Sequence, residues 1–249
     1  MDYTRRFTKR ADWYASYRPG YPAKIIAILE KKIGFRRRQV VADVGSGTGL
    51  LTKIFLENGN KVFGVEPNKS MRAYSERDLS GFRNFISVRG TAEHTTLPTK
   101  SVDLVTVGQA LHWFNRVRAS REFRRISKPG GSLCAVYNVK RSDRLGRAYE
   151  KVIRRHEVGK AAVPNSSMKR LRYFFKDGKY SKFTVPNEQS LDFEGLLGRI
   201  LSSSYMPRPD ESRGPSELRR DALNVFESFG SDGRVRLRYR TNIFIGSIG

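Results

Sequence analysis

The sequence predicts an α/β fold built on a doubly wound, mostly parallel sheet of seven strands. Three observations carry this. Apolar strand-like runs alternate with helix-spaced segments from Val40 to Val139. The first run ends in a turn with glycine at alternate positions, Gly45, Gly47 and Gly49. The second run, Lys61 to Val65, ends in an acid, Glu66. Strands that alternate with helices pair in parallel, and the helices then cover both faces of the sheet.

Taken in order, residues 2–17 read as a basic amphipathic helix with Phe7, Trp13, Tyr14 and Tyr17, placed to act as a lid. Arg18-Pro19-Gly20-Tyr21-Pro22 breaks it, because proline disfavours helix at the residue before it. Pro22 opens a second helix with an Ile25, Ile26, Ile28, Leu29, Ile33 stripe, closed by Gly34. Strand one spans about 39–44, a helix 48–58, strand two 61–66, and a helix 68–79 with Asn68 as its N-cap. Strands three and four fall at 85–88 and 102–107. A helix with Phe114, Val117, Phe123 and Ile126 follows, and strand five runs over 132–139. The rhythm then changes. A basic helix over 141–157 leads into a mixed stretch, 161–180, ending in the turn pair Asp177-Gly178. A strand at 180–185, a helix at 193–203, a helix at 215–229 and a strand at 235–245 returning to the sheet edge complete the chain. One domain is expected: N-terminal helices and lid (1–38), core (39–139), cap insertion (140–210), then a C-terminal helix and edge strand (211–249).

Composition narrows the class. A chain of 249 residues fits one domain. It has no apolar run of 18 residues and no signal-like N-terminus, so the expectation is cytoplasmic, without a membrane partner. Cys134 is the only cysteine, which rules out an internal disulfide, and His94, His112 and His156 show no metal-ligand spacing. The formal net charge is +24. Residues 111–180 hold 19 basic and 5 acidic residues, and residues 1–40 hold 11 and 3. Such a field attracts acidic small molecules or nucleic acid. It is equally the mark of well-solvated helix faces.

The glycine turn has several readings. It could be a plain strand-to-helix connection. A dinucleotide site is a poor match, because G-x-G-x-x-G would place its third glycine where Leu50 stands. Asp43, two residues ahead of Gly45, is hard to place in a core, since an unpaired buried carboxylate is costly. It suits the strand end, facing a ligand or the loop backbone. Glu66 at the tip of strand two can accept both hydroxyls of a ribose, or cap the helix that begins at Asn68.

VADVGSGTG, GVEPNKSM, GTAEHTTLP, SVDLVTVGQALHWF and KPGGSLCAVYN stand in an order and spacing that resemble class I S-adenosylmethionine-dependent methyltransferases, in particular the type 11 methyltransferase-like group. The resemblance is strong over residues 5–140 and weak beyond. It implies a Rossmann-like methyltransferase fold with S-adenosylmethionine as cofactor. The cofactor-binding residues it points to are Asp43, Gly45, Ser46, Gly47 and Gly49 at the first turn, Glu66, Pro67 and Met71 at the second strand tip, Ala92 and Glu93 at the adenine edge, and Gln109 beside the methionine tail. Tyr17 and Arg18 would close over that tail, or simply form a proline-flanked turn. Trp13, Tyr14, His112, Trp113, Tyr137, Arg141 and Tyr205 are candidates to line the acceptor pocket, although each aromatic could equally be core. His112 is the candidate general base, and hydrogen bonding to backbone is its alternative. Methyl transfer to an O or N atom of a small-molecule acceptor is the expected function, with a small acid as one candidate acceptor. An RNA (tRNA) methyltransferase and a non-catalytic S-adenosylmethionine-binding protein are the alternatives.

Overall fold

The computed structural model describes residues 15–158, 171–203, 205–207 and 215–248. Trp13 and Tyr14, with most of the expected lid helix, lie outside the described residues. Seven strands form one sheet in the order β3-β2-β1-β4-β5-β7-β6. The parallel part is β1 (Val40–Val44), β2 (Lys61–Val65), β3 (Phe85–Val88), β4 (Val102–Gly108) and β5 (Ser127–Lys140). β6 (Ser181–Leu191) and β7 (Val235–Ser247) complete it, with β7 antiparallel to both of its neighbours.

Local chemistry explains the helices. α1 (Lys24–Ile33) buries Ile25 and Leu29, and stops at Gly34, whose φ of 65° is left-handed. α2 (Leu50–Glu57) buries Leu51, Ile54 and Phe55 against the sheet. α3 (Lys69–Asp78) is capped by Asn68, whose side chain accepts from the Met71 N–H at 3.0 Å. Residues 111–113 form a short 3-10 turn rather than the start of a long helix. Phe114 is extended, and α4 (Arg116–Ile126) begins afresh at Asn115, which caps the Arg118 N–H. α5 (Arg144–His156) and α6 (Phe193–Leu201) are capped by Asp143 and Asp192. α7 (Pro215–Phe229) precedes β7.

Three apolar cores result. One face of the sheet packs with Ala119, Phe123, Ile126 and Phe174. The other packs with Ile25, Leu29, Phe35, Leu51 and Phe55. A third core, Tyr149, Ile153, Leu196, Ile200, Leu218, Ala222, Leu237 and Tyr239, joins α5, α6 and α7 to the outer ends of β6 and β7.

The structure corrects three expectations. β5 starts at Ser127, not residue 132, because Ser127 already pairs with Val102, and a register shift between Val102 and Leu104 absorbs the Pro129-Gly130-Gly131 turn. β7 is not the edge strand. It lies between β5 and β6, which suits its Ile243, Phe244 and Ile245, all buried. β6 forms the edge, where Pro186 is tolerated, so residues 181–191 of the expected cap belong to the sheet. Among the described residues, no helix is long and apolar enough to cross a membrane.

One buried polar knot fixes the entry into β2. Asn60 is fully buried, and its Nδ2 donates to the carbonyls of Arg36, Arg37 and Gln39 at 2.8–3.1 Å. Asn60→Ala removes these three bonds, leaving the Arg36 carbonyl only its bond from the Gln39 N–H, and lowers stability by about 2–3 kcal/mol, measured by urea denaturation.

Candidate active site

The site gathers at the C-terminal ends of β1, β2 and β4, where open α/β sheets leave a crevice. After β1 the backbone turns through Gly45 (φ 71°), Gly47 (φ 58°) and Gly49 (φ 89°). Gly45 has a second reason to lack a side chain. A Cβ there would stand 2.9 Å from the Ala110 Cβ and 3.2 Å from the Phe114 ring. At Gly47 a Cβ would meet nothing within 4 Å, so that backbone faces open space.

The turn is tied to β2. Gly45 and Ser46 donate to the Val65 carbonyl at 2.8 and 3.2 Å. Gly47 N–H donates to Glu66 Oε2 at 3.0 Å, and Asn68 N–H donates to Oε1 at 2.9 Å. Burial raises the Glu66 carboxyl above its usual range, opposed by those two N–H groups and by Arg72. Arg72 also donates to the Glu66 and Pro67 carbonyls, both at 3.0 Å.

Asp43 is 1% exposed. Its Oδ2 accepts from Thr52 Oγ1 at 2.6 Å, while Oδ1 has no partner. Burial pushes its pKa up to about 7, aided by the nearby Glu66 charge and opposed by the Thr52 hydrogen bonds. Tyr21, Asp43, Gly45, Ser46, Gly47, Thr48 and Gly108 line a corner of about 30 Å³, room for one small group. Gly108 gives way to Tyr21, since a Cβ there would lie 2.7 Å from the Tyr21 hydroxyl.

The methyltransferase domain family matches residues 42–135, which hold this turn and β1 through most of β5. An uncharacterized methyltransferase of Mycobacterium tuberculosis is 37% identical over 145 residues, 58% of this chain and 56% of that one. A Saccharomyces cerevisiae protein, named a probable S-adenosylmethionine-dependent methyltransferase, is 27% identical over 131 residues, 51% of this chain and 44% of that one. The chain thus spans about half the length of these curated relatives. A solved structure from Anaeromyxobacter dehalogenans, assigned as a type II methyltransferase, superposes with a TM-score of 0.71 at 22% identity, over 93% of this chain and 98% of that one. Residues 42–135 are a methyltransferase domain.

The remaining expected residues fall around this domain as follows. Gln109, directly after β4, holds a left-handed φ of 55°, a costly conformation for a side-chain-bearing residue. Its N–H donates to the Val136 carbonyl and its Nε2 to the Asn138 carbonyl, both at 3.0 Å, which hold that strained turn against β5. Met71 and Ala92 are buried. Glu93 accepts from the Asn115 N–H at 2.7 Å and so tethers the loop after β3 to the start of α4. His112 is partly buried, its ring 4.8 Å from that of Trp113, and burial lowers its pKa. Tyr137 packs edge-on to Phe244 within the methyltransferase domain's first core, and burial raises its hydroxyl pKa. Arg141 is exposed. Tyr205 packs on the third core and accepts from the Val158 N–H.

Tyr17 and Arg18 belong to a strap laid across the strand ends. Gln189 Nε2 donates to the Tyr17 carbonyl at 2.9 Å, and Arg18 Nη2 to the Ser202 carbonyl at 3.0 Å. Asn138 and Asn187 both donate to the Gly20 carbonyl, at 3.0 and 2.9 Å. Tyr21, Thr52, Asn138 and Gln189 therefore shape the site although sequence reading did not single them out. Only Thr52 carried a local signal, one helix position facing the strand that holds Asp43.

Asp43 makes stability depend on pH. Its native pKa of about 7 exceeds the ordinary aspartate value of 3.8, so between these values the native state binds more protons than the unfolded chain, and stability falls as pH rises. Urea denaturation from pH 4 to 8 is expected to show the wild type losing stability relative to Asp43→Asn across that window.

Proposed function

We propose that the chain transfers a methyl group from S-adenosylmethionine to an O or N atom of a small-molecule acceptor. The observation that carries the small-molecule reading is enclosure. The strap over residues 17–21 is hydrogen-bonded to β5, β6 and the end of α6, and covers the strand ends where a bulky acceptor would need an open approach.

The donor reading rests on the yeast relative's name together with the fit of this site. Bound, S-adenosylmethionine supplies a methyl carbon activated by its sulfonium. Asp43 Oδ1 offers an unpaired, buried acceptor for the ammonium of the amino-acid tail, in a corner sized for such a group. The bare backbone at Gly47 allows close approach. Each Glu66 oxygen already accepts one N–H and keeps a lone pair for a ribose hydroxyl. Ser46, Pro67, Met71, Ala92, Glu93 and Gln109 frame the rest of the donor. Displacement at an activated carbon needs mainly alignment and exclusion of water, which the strap serves. His112, held neutral by its lowered pKa, can accept the acceptor's proton. Trp113 and Tyr137 would complete the pocket.

A second reading, RNA methylation, has one specific observation in its favour. Arg236, Arg238 and Arg240 are exposed on one face of β7, alternating with buried residues, and Arg234, also exposed, stands just before the strand. Alternate strand residues repeat at about 6.7 Å, near the span between phosphates of a single strand.

Four outcomes are expected. Calorimetry should show donor affinity falling at least tenfold in both Gly47→Val and Glu66→Ala, and unchanged affinity in both would overturn the donor assignment. Donor affinity should also rise through pH 7 as Asp43 ionises, and this rise should vanish in Asp43→Asn. Incubation with labelled methyl donor and host extract should place label in the small-molecule fraction. Label in RNA would favour the second reading. For His112→Ala, a drop of about 10²-fold in turnover with unchanged donor binding is expected of a base.

A further inference from the structure

A buried arginine with no carboxylate partner among the described residues stands at the far end of the strap. Arg199 projects from α6 and is 8% exposed. Its Nε donates to the Tyr239 hydroxyl at 3.2 Å, and its Nη1 has no hydrogen-bond partner. Among the described residues no carboxylate pairs with it. Its neighbours are hydroxyls and other cations. The Tyr239 hydroxyl donates onward to Gln189 Oε1, and the Tyr149 ring lies 6.0 Å from the guanidinium. Lys140 Nζ sits 4.0 Å from the centre of the Tyr149 ring and is claimed by Glu150 at 2.6 Å. Burial lowers the Lys140 pKa; Glu150 opposes this, and the charges of Arg199 and Arg154 add to it.

An uncompensated buried guanidinium is expensive, and a fold can replace it with an apolar residue at no loss of stability. Its retention here calls for an anion. The surroundings also connect it to the donor corner. Gln189, which receives Tyr239, holds the Tyr17 carbonyl, and the Tyr17 ring lies where a Gly198 Cβ would be, 2.5 Å away. Tyr21, at the other end of the same strap, lines the corner with Asp43. Four residues of chain separate Tyr17 from Tyr21 and span at most about 14 Å, so one short strap joins the Arg199 end to the Asp43 corner.

We propose that Arg199, with the hydroxyls of Tyr239 and Tyr149, is the receptor for a carboxylate group of the methyl acceptor. The planar guanidinium offers Nη1 to one carboxylate oxygen, and the Tyr149 and Tyr239 hydroxyls, which here donate to the Arg199 carbonyl at 3.4 Å and to Gln189 Oε1 at 3.3 Å, would exchange those bonds to donate to the other. The acceptor is then a small organic acid whose nucleophilic atom lies toward the donor corner and whose carboxylate lies under α6. The inference takes its reacting end from the methyl-transfer reading above, and its anion end stands on Arg199 alone.

The test uses succinate, citrate and the neutral diamide succinamide as probes on the full chain, read by calorimetry and by thermal shift. Wild-type protein is expected to bind at least one of the two acids with at least tenfold preference over succinamide. Arg199→Gln should lose that binding at least tenfold while keeping donor affinity. Arg199→Met should be as stable as wild type or more so, since it removes an unpaired charge. Tyr239→Phe should weaken acid binding about threefold or more without loss of fold. Equal binding of acids and succinamide, acid binding undiminished in Arg199→Gln and Tyr239→Phe, or a marked fall in the melting temperature of Arg199→Met would overturn the proposal. If donor affinity survives while the acids fail to bind, only this inference falls. If donor affinity is absent from wild type, the methyl-transfer reading falls.

Discussion

The geometry of the site depends on one carboxylate. Glu66 receives Gly47 N–H on one oxygen and Asn68 N–H on the other. These two donors come from different segments, the turn after β1 and the cap of α3. Without Glu66 both would lose this partner, the Asn68 N–H in a buried setting. With it, the turn keeps its left-handed glycines and β1 and β2 end at a common level. The arrangement has a cost, since burial raises the Glu66 carboxyl. Charge-assisted bonds to two backbone donors offset that cost and leave lone pairs directed at the crevice.

Buried polar groups are treated differently at the two ends of the sheet. At the N-terminal end they are paired. Asn60 satisfies three carbonyls, and Asp103 accepts from the Val40 N–H and from Lys128, each at 2.8 Å. At the C-terminal end, Asp43 Oδ1 and Thr48 Oγ1 are buried without partners, and so is Arg199 Nη1 beyond the strand tips. Gln109 adds a strained backbone at the same end. Unpaired charge and strain are costly, and sites that bind ligands are where folds retain them. The pairing at one end holds the sheet together, and the open valences at the other give it something to bind.

The charge excess divides in a similar way. Arg116, Arg118, Arg121 and Arg124 on α4, and Arg144, Arg147, Arg154 and Arg155 on α5, are exposed. They behave as solvated helix faces, as their spacing allowed. Two arginines are exceptions: Arg155 pairs with Asp221 at 3.2 Å, and Arg125 is fixed to Glu122 at 2.7 Å, a contact that together with Thr95 holds the Glu122 carboxyl at about 2 against the pull of burial. Arg199 is the opposite case, a single cation taken inside.

The sequence by itself determined what depends on neighbours in the chain. The alternation of strands and helices, the glycine turn, the acid at the tip of β2 and the Asn68 cap all follow from residues within a few positions of one another. Tertiary structure alone decided the rest. That β7 enters between β5 and β6 depends on pairing with strands over 50 residues away, and apolar periodicity reads the same at an edge or in the middle. Tyr21 meets Gly108, Asn138 meets Gly20, and Arg199 meets Tyr239 only once the sheet is assembled. An arginine in a helical stretch looks like any solvated arginine until packing shows which face of its helix is inside.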